Sequence, residues 1–528
     1  MAESKATDEF QPHPVKDQLP NVDYCLNSSP PWPEAILLGF QHYVVMLGAT
    51  VMIPTILVPQ MGGSNVEKAE VIQTVLFVAG LNTLLQTLVG SRLPVVIGGS
   101  YAFIIPAISI IFSDKYKTIS DPLERFKKTM RAIQGAVMFA SMLPALIGFL
   151  GLWRIVLRFL SPISAVPLVT LTGLGLFEFG FPQLATCIEI GLPALILLVF
   201  FSQYLSYIIK SNKAIGPRFA VLLSIVIVWV YAEILTVAGA YKHSSSKTQL
   251  SCRTDRSGLI GAASWIRFPY PFQWGRPTLN VANGFAMLGA AFVAIIESTG
   301  TFMAAAKYGS ATPIPPSIAS RGVGWLGISI LLDGAFGTGN GSTASVENAG
   351  LLAVNRVGSR RVIQVSAGFM LFFSVLGKFG AVLASIPLPI FAAIYCVLFA
   401  YVASAGLGIL QLCNLNSFRT KFILGLSLFM GLSVPQYFNE FLLINGHGPV
   451  HTNSDAFNGM MQVIFSSPAT VAAITALLLD LTLGREDSST RRDSGRHWWE
   501  KFRTFDADSR TEEFYSLPAN LDNYFPPL

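Results

Sequence analysis

Ionisable residues are rare inside the apolar stretches of this 528-residue chain, and the glutamates Glu297 and Glu347 stand out among them. A charge at the bilayer centre costs roughly 2.5 to 3.5 kcal/mol if it faces lipid, so such residues are expected to face a protein interior and to carry function. Glu297 lies in FVAIIESTGTFMAAAK, with no cation on the same stretch until Lys307. A carboxylate so isolated can load and release a proton near neutral pH, or accept hydrogen bonds from a ligand. The plainer alternative is a permanently neutral carboxyl that tethers a neighbouring helix. Glu347 follows the extended-looking NGSTASV and opens ENAGLLAVNR, which places it in the first turn of a half-helix. There the helix dipole and the free N–H groups favour a negative charge, and backbone donors and acceptors beside it would suit a planar, heteroatom-rich ligand. A simple capping role is the alternative.

Tyr101, in GGSYAFIIP, could stack on a flat ligand, worth about 1 to 3 kcal/mol where bases stack on aromatics; a lone aromatic more often packs. Gln41 and His42 are adjacent and cannot share a helix face, so at most one points at a ligand. His42 is expected to be an interior histidine that bonds the broken backbone of the third span. Glu233, Asp333 and Lys378 complete the set, and the last two could pair. HExxH, GxxxxGK[ST] and GxSxG patterns are all missing, so catalysis is not expected and the chain is not read as an enzyme. Cys25, Cys187, Cys252, Cys396 and Cys413 have no paired spacing and no accompanying histidines, so they are read as inert, with neither disulfides nor a metal site. No cofactor is expected.

These side chains need elements to hold them. With 52% hydrophobic and 12% charged residues and a mean hydropathy of +0.54, the chain departs from soluble composition, where about a quarter of residues are charged. It reads as an all-α polytopic membrane protein. Apolar stretches recur at 34–58, 71–89, 93–112, 132–153, 159–177, 190–209, 219–240, 279–306, 322–338, 344–355, 362–386, 387–411, 422–439 and 463–479, about fourteen spans against the ~20 residues a bilayer requires. No cleavable leader is evident in the polar first thirty residues. An even count puts both termini on one side, and Arg485, Arg491, Arg492 and Arg496 mark it as cytosolic. Arg92, Arg154, Lys210, Lys213, Arg218, Lys307, Arg356, Arg360, Arg361, Arg419 and Lys421 agree. Segments 113–131 and 241–278 fall outside yet carry several cations, against the trend. The basic residues sit at span ends and form no single patch, so no nucleic-acid partner is implied.

The third and tenth spans are interrupted by glycines. Broken backbone at membrane depth is tolerated only in a protein interior or cavity lining, so both point inward. They lie seven spans apart. Two repeats of seven must enter from opposite faces, which predicts 7+7 inverted repeats and a binding site where the broken segments meet.

Four elements in order, Gln41-His42, GSYAF, the eighth-span glutamate and VENAGLLAVNR, resemble the nucleobase-ascorbate transporters, also called the nucleobase:cation symporter-2 family, and the plant leaf-permease subgroup in particular. In the signature, Glu347, Asn348, Gly350, Asn355 and Arg356 hold the matching places. The resemblance implies short antiparallel strands in spans 3 and 10, a core of 34–153 and 279–386, and a gate of 154–240 and 387–484. Tails at 1–33 and 485–528 and an external loop at 241–278 complete the division, with elevator-like movement and a homodimer. It implies a substrate held by Glu297, Glu347 and main chain near Ser100, Tyr101, Ala102 and Val346, with Tyr101 stacking on it. Gln41, His42, Thr301, Asn348, Gly350, Asn355 and Arg356 would support the site.

Glutamate at the first signature place resembles carriers of xanthine, uric acid or uracil; proline there resembles ascorbate carriers. The expectation is therefore symport of xanthine and uric acid with protons across the plasma membrane, sodium remaining open as coupling ion. Uracil, adenine or ascorbate cargo, or anion exchange of the sulfate-carrier type, are the alternatives. Two places depart from the pattern: Asn355 stands where Thr is usual, and Thr301 where several relatives carry Asp or His, so Glu297 would carry more of the proton coupling alone.

Overall fold

The computed structural model describes residues 16–208, 215–483, 492–518 and 521. Lys210, Lys213, Arg485 and Arg491 lie outside them. The chain runs through α1 (Trp32–Met61), α2 (Asn65–Leu88), β1 (Ile97–Gly99), α3 (Ile104–Ile111), α4 (Pro122–Phe149), α5 (Pro162–Leu174), α6 (Ile188–Val199) and α7 (Ala220–Val237). The second half has α8 (Val281–Tyr308), α9 (Pro316–Phe336), β2 (Ser342–Ala344), α10 (Val346–Asn355), α11 (Arg360–Val375) and α12 (Gly377–Ala384). It closes with α13 (Leu388–Gly408), α14 (Phe418–Asn445), α15 (Asp455–Phe465), α16 (Pro468–Thr482) and a short α17 (Ser509–Tyr515).

Each of the fourteen apolar stretches contains helix. Among the described residues, eight helical runs are long and apolar enough to cross a membrane, one of them covering the fifth and sixth stretches together. The bent pairs α11–α12 (110°) and α15–α16 (85°) raise the number to ten. The third and tenth stretches fall short because each is half strand and half helix. The ninth, α9, carries Arg321, Asp333 and several glycines that let its backbone touch α4: a Cβ on Gly327 would lie 2.3 Å from the Ala145 nitrogen.

Local chemistry sets the ends. Ser64 and Glu67 form a capping box at the start of α2, Asp121 caps α4, Asn280 caps α8, and Gly62 and Gly337 end α1 and α9 with positive φ.

By contact the helices form two sets. In the first, α4 packs on α9 and α8, and α2 on α11, α9 and α1. In the second, α5 packs on α13, α14 and α16, while α6 joins α13 and α7. The sets meet where α8 touches α5 and α15, and α10 touches α13. Between the halves, β1 and β2 pair antiparallel, with Ile97 opposite Ala344, Gly98 opposite Thr343 and Gly99 opposite Ser342. The half-helices that follow the two strands therefore leave in opposite senses, as an inverted pair requires.

The described parts of the two tails, from residue 16 and up to residue 518, meet on one face. Asp17 pairs with Lys501 and Arg510, each at 3.1 Å, and Arg218, one of the cations assigned to that side, pairs with Asp23 and Glu34. Several cations of 113–131 and 241–278 are bound locally. Arg125 donates to the Met61 carbonyl, Arg131 to Arg276, Arg267 to Glu70, and Arg253 clamps Asp255. They organise folded loops, and a count of charges along the sequence does not see that.

One expectation is corrected here, and one open possibility is decided. Cys187 and Cys252 form a disulfide (Cα–Cα 5.5 Å) that joins the start of α6 to the 241–278 loop; Cys25, Cys396 and Cys413 are free. The partners are 65 residues apart, a separation in which sequence spacing carries no signal. Lys378 does not pair with Asp333, since its ammonium donates to the Ile260 carbonyl at 2.6 Å.

Candidate functional site

The strand pair organises the site. Main-chain bonds extend it by one residue at each end, Ser100 N–H to the Gly341 carbonyl and Ser345 N–H to the Val96 carbonyl. In a bilayer, the outward N–H groups of so short a sheet need partners, and hydroxyls on neighbouring helices supply them. Thr83 on α2 accepts from Ile97 N–H at 2.9 Å, and Ser298 on α8 accepts from Ala344 N–H at 3.1 Å. The second bond fixes Glu297, the residue before Ser298, beside β2. Glu347 enters α10 three residues after Ala344, buried, in the first turn capped by Ser345, whose hydroxyl accepts from Asn348 N–H. Strand β2 thus brings the two carboxylates to one neighbourhood. Val346 starts α10, and Ser100 accepts from Ala102 N–H as a short helical turn begins at Tyr101.

Glu297 is half-buried and accepts a 3.2 Å hydrogen bond from the Ser467 hydroxyl. Ser467 also caps α16, so this carboxylate of the first helical set reaches across to the second. Thr301 stays with its own helix, donating to the Glu297 carbonyl at 2.9 Å. Tyr101 makes a second crossing: its ring stacks on Phe179 at 4.0 Å between centroids and 21° between planes, and its hydroxyl is buried without a hydrogen-bond partner among the described residues. Tyr101 and Tyr395 both lie within electrostatic reach of Glu347.

The supporting residues interlock. Gln41 donates to the Asn355 side chain at 2.9 Å, which joins the adjacent pair of α1 to the end of α10. Asn348 donates to the His42 carbonyl. The His42 ring corrects the expectation made for it: both nitrogens are buried and neither has a partner among the described residues, so it does not bond the broken third span. Gly350 is where α10 meets α13, and a Cβ there would lie 2.2 Å from the Leu398 carbonyl oxygen. Arg356 ends α10 in the left-handed region (φ 56°) and its carbonyl accepts from Asp23 N–H. Asp333 is buried near Ser342, with one carboxyl oxygen without a hydrogen-bond partner among the described residues. Ser467 and Phe179 were missed by sequence reasoning; each matters only because the second set presses on the first, and no local pattern marks that.

On the face where the tails meet, a cleft opens between the two sets. Its lining includes Met303 and Lys307 of α8, Val169 of α5 and Ala405 of α13. Met303 is six residues from Glu297, about 9 Å along the helix axis.

A model described as "Permease family" matches residues 33–440. Nucleobase-ascorbate transporter 4 of Arabidopsis thaliana is 66% identical over 98% of this chain and 99% of its own length. Nucleobase-ascorbate transporter 6 of the same plant is 64% identical over 100% and 99%, and nucleobase-ascorbate transporter LPE1 of Zea mays is 60% identical over 98% of both chains. Among solved structures, SLC26A9 aligns with a TM-score of 0.44 at 12% identity, over 86% of this chain and 66% of that one.

Proposed function

Because the chain belongs to the nucleobase-ascorbate transporter family, a family of multi-pass membrane transporters, we propose that it carries xanthine and uric acid inward across the plasma membrane together with protons. The observation that carries this reading is the placement of two carboxylates on either side of one short strand, Glu347 at a half-helix start and Glu297 on α8. A purine dione offers ring N–H groups to such carboxylates and carbonyls to nearby backbone N–H groups. Sites that bond a polar substrate reject analogues lacking those groups by roughly 10⁴ to 10⁵ in favourable cases, because buried groups left unpaired are costly.

In this reading the first helical set is the moving core and the second the gate. Glu347 selects the substrate. Glu297 takes the proton, and its bond to Ser467 makes core–gate contact depend on its charge. A charged Glu297 holds Ser467, whereas a neutral carboxyl shared with a substrate loosens that hold and frees the core to slide. The termini are cytosolic, and the homodimer stays part of the proposal.

Uptake of labelled xanthine in a transport-null host tests this, with unlabelled uric acid, uracil, adenine and ascorbate as competitors at several external pH values and with a protonophore. Glu347→Ala should abolish uptake, and Glu297→Gln should remove its dependence on external acidity. Undiminished uptake in both variants sinks the site assignment. Strong competition by ascorbate alone would reassign the cargo.

A further inference from the structure

The described parts of the two segments read from sequence as tails, 16–33 and 492–518, are built into the joint between the helical sets. The C-terminal segment is anchored at both extremes. Near its start, Arg496 donates to the Asp480 carboxylate at 3.0 Å, a group that also receives Ser161 (2.8 Å) and Arg419 (2.7 Å). The Asn414 side chain donates to Asp493 at 2.9 Å. All these partners belong to the second set or the loops it bears. At the far end, Thr511 meets Thr312 at 2.9 Å, and fully buried Tyr515 donates to the Thr312 carbonyl. Arg321 and Arg360 donate to the carbonyls of Tyr515 and Phe514, each at 2.8 Å. Those partners belong to the first set.

Between the anchors the segment crosses the cleft, where Trp498, Trp499, Lys501 and Phe502 line its wall. The N-terminal segment lies over the same opening. Lys16 and Asp17 line it, the Lys16 carbonyl accepts from Gln411 and Lys307, and the Asp17 carboxylate receives Lys501 and Arg510.

We propose that these two tail segments form a clasp over the inner mouth of the transport path, bridging core and gate, and that one anchor of this clasp must open whenever the core slides. The inference rests on the reading above that the two sets move past one another. The clasp is not a pH latch. Burial pushes the Asp17 carboxyl up, but hydrogen bonds from Lys501 and Arg510 outweigh this and hold it below the ordinary carboxylate value. A depressed carboxylate keeps its ion pairs above its unfolded value and loses them only as pH falls through the folded one, well below cytosolic pH.

The test uses the full chain, with Cys25, Cys396 and Cys413 changed to Ala and the native disulfide kept. Cysteine pairs replace Thr312 with Thr511 at the core end and Asn414 with Asp493 at the gate end. With both pairs cross-linked, uptake falls roughly tenfold or more and returns on reduction, while the parent background treated alike is unaffected. Cross-linking each end alone identifies the end that opens. A second readout needs no substrate: Met303→Cys reacts with a membrane-impermeant thiol reagent applied from the termini side. Asp17→Lys should speed that labelling roughly two- to tenfold, and Asp17→Lys with Lys501→Asp should bring it partly back. Unchanged uptake with both ends locked, or unchanged labelling in Asp17→Lys, overturns the clasp. If labelling responds while the parent takes up no nucleobase, the cargo reading fails and the clasp stands.

Discussion

Gly350 sits where α10 crosses α13, and replacing it with alanine tests whether the position of the half-helix sets substrate affinity. An added Cβ would lie 2.2 Å from the Leu398 carbonyl oxygen, whereas ordinary contact begins near 3.4 Å, so the two helices must part by about 1 Å. The obstacle is backbone and cannot rotate aside. Helix α10 is held at its start by β2 and the Ser345 cap and at its end by the Gln41–Asn355 bond, so the strain falls on the segment that carries Glu347. Overpacking of this kind costs roughly 1 to 3 kcal/mol. Spent on the binding geometry, that range corresponds to about 5- to 150-fold in affinity. Gly350→Ala should therefore raise the half-saturation concentration for uptake within that range at equal surface abundance, with a lower thermal unfolding midpoint of the purified protein. Uptake and midpoint both matching the parent would refute the claim that close approach of α10 and α13 positions Glu347.

Further perturbations follow the same logic. Gln41→Ala and Asn355→Ala, alone and combined, should show a coupling of about 0.5 to 1.5 kcal/mol in unfolding measurements, the usual size for one hydrogen bond; additive effects would mean the pair is incidental. Cys187→Ser should destabilise the protein by about 2 to 4 kcal/mol and reduce the amount at the cell surface, checked by surface labelling. Phe179→Ala removes a ring contact worth about 0.5 to 1.5 kcal/mol that a ligand stacking on the same face of Tyr101 must displace. The half-saturation concentration should then fall roughly two- to tenfold; a rise would mean that Phe179 itself holds the substrate.

The sequence carried whatever depends on neighbours along the chain. Fourteen apolar stretches could be read because bilayer thickness fixes their length, and the glycines at 98–99 and 339–341 announced the two broken spans. Glu347 could be placed in a first turn because an extended stretch ends just before it. Contacts between distant segments could not be read. The disulfide, the Ser467 bond, the Phe179 stack and the anchoring of both chain ends each join residues with no shared periodicity. His42 failed for a related reason: adjacency to Gln41 gives its helix but not what surrounds its ring. At 113–131 and 241–278 a tally of charge cannot tell an orientation signal from a side chain bound to a carbonyl, as Arg125 and Arg131 are.

The pairing of β1 with β2 also bears on how the protein is made. Ribosomes deliver β1 first, and everything between Gly99 and Ser342 must be synthesised and inserted before its partner exists. Until then the third span holds main-chain groups that neither water nor a helix can satisfy in hydrocarbon. The nascent chain must keep that span sheltered, in the insertion machinery or against another protein, and a product arrested before Ser342 is left with an unpaired strand in the bilayer. Completion of three residue pairs thus marks the moment when the polypeptide no longer needs an escort.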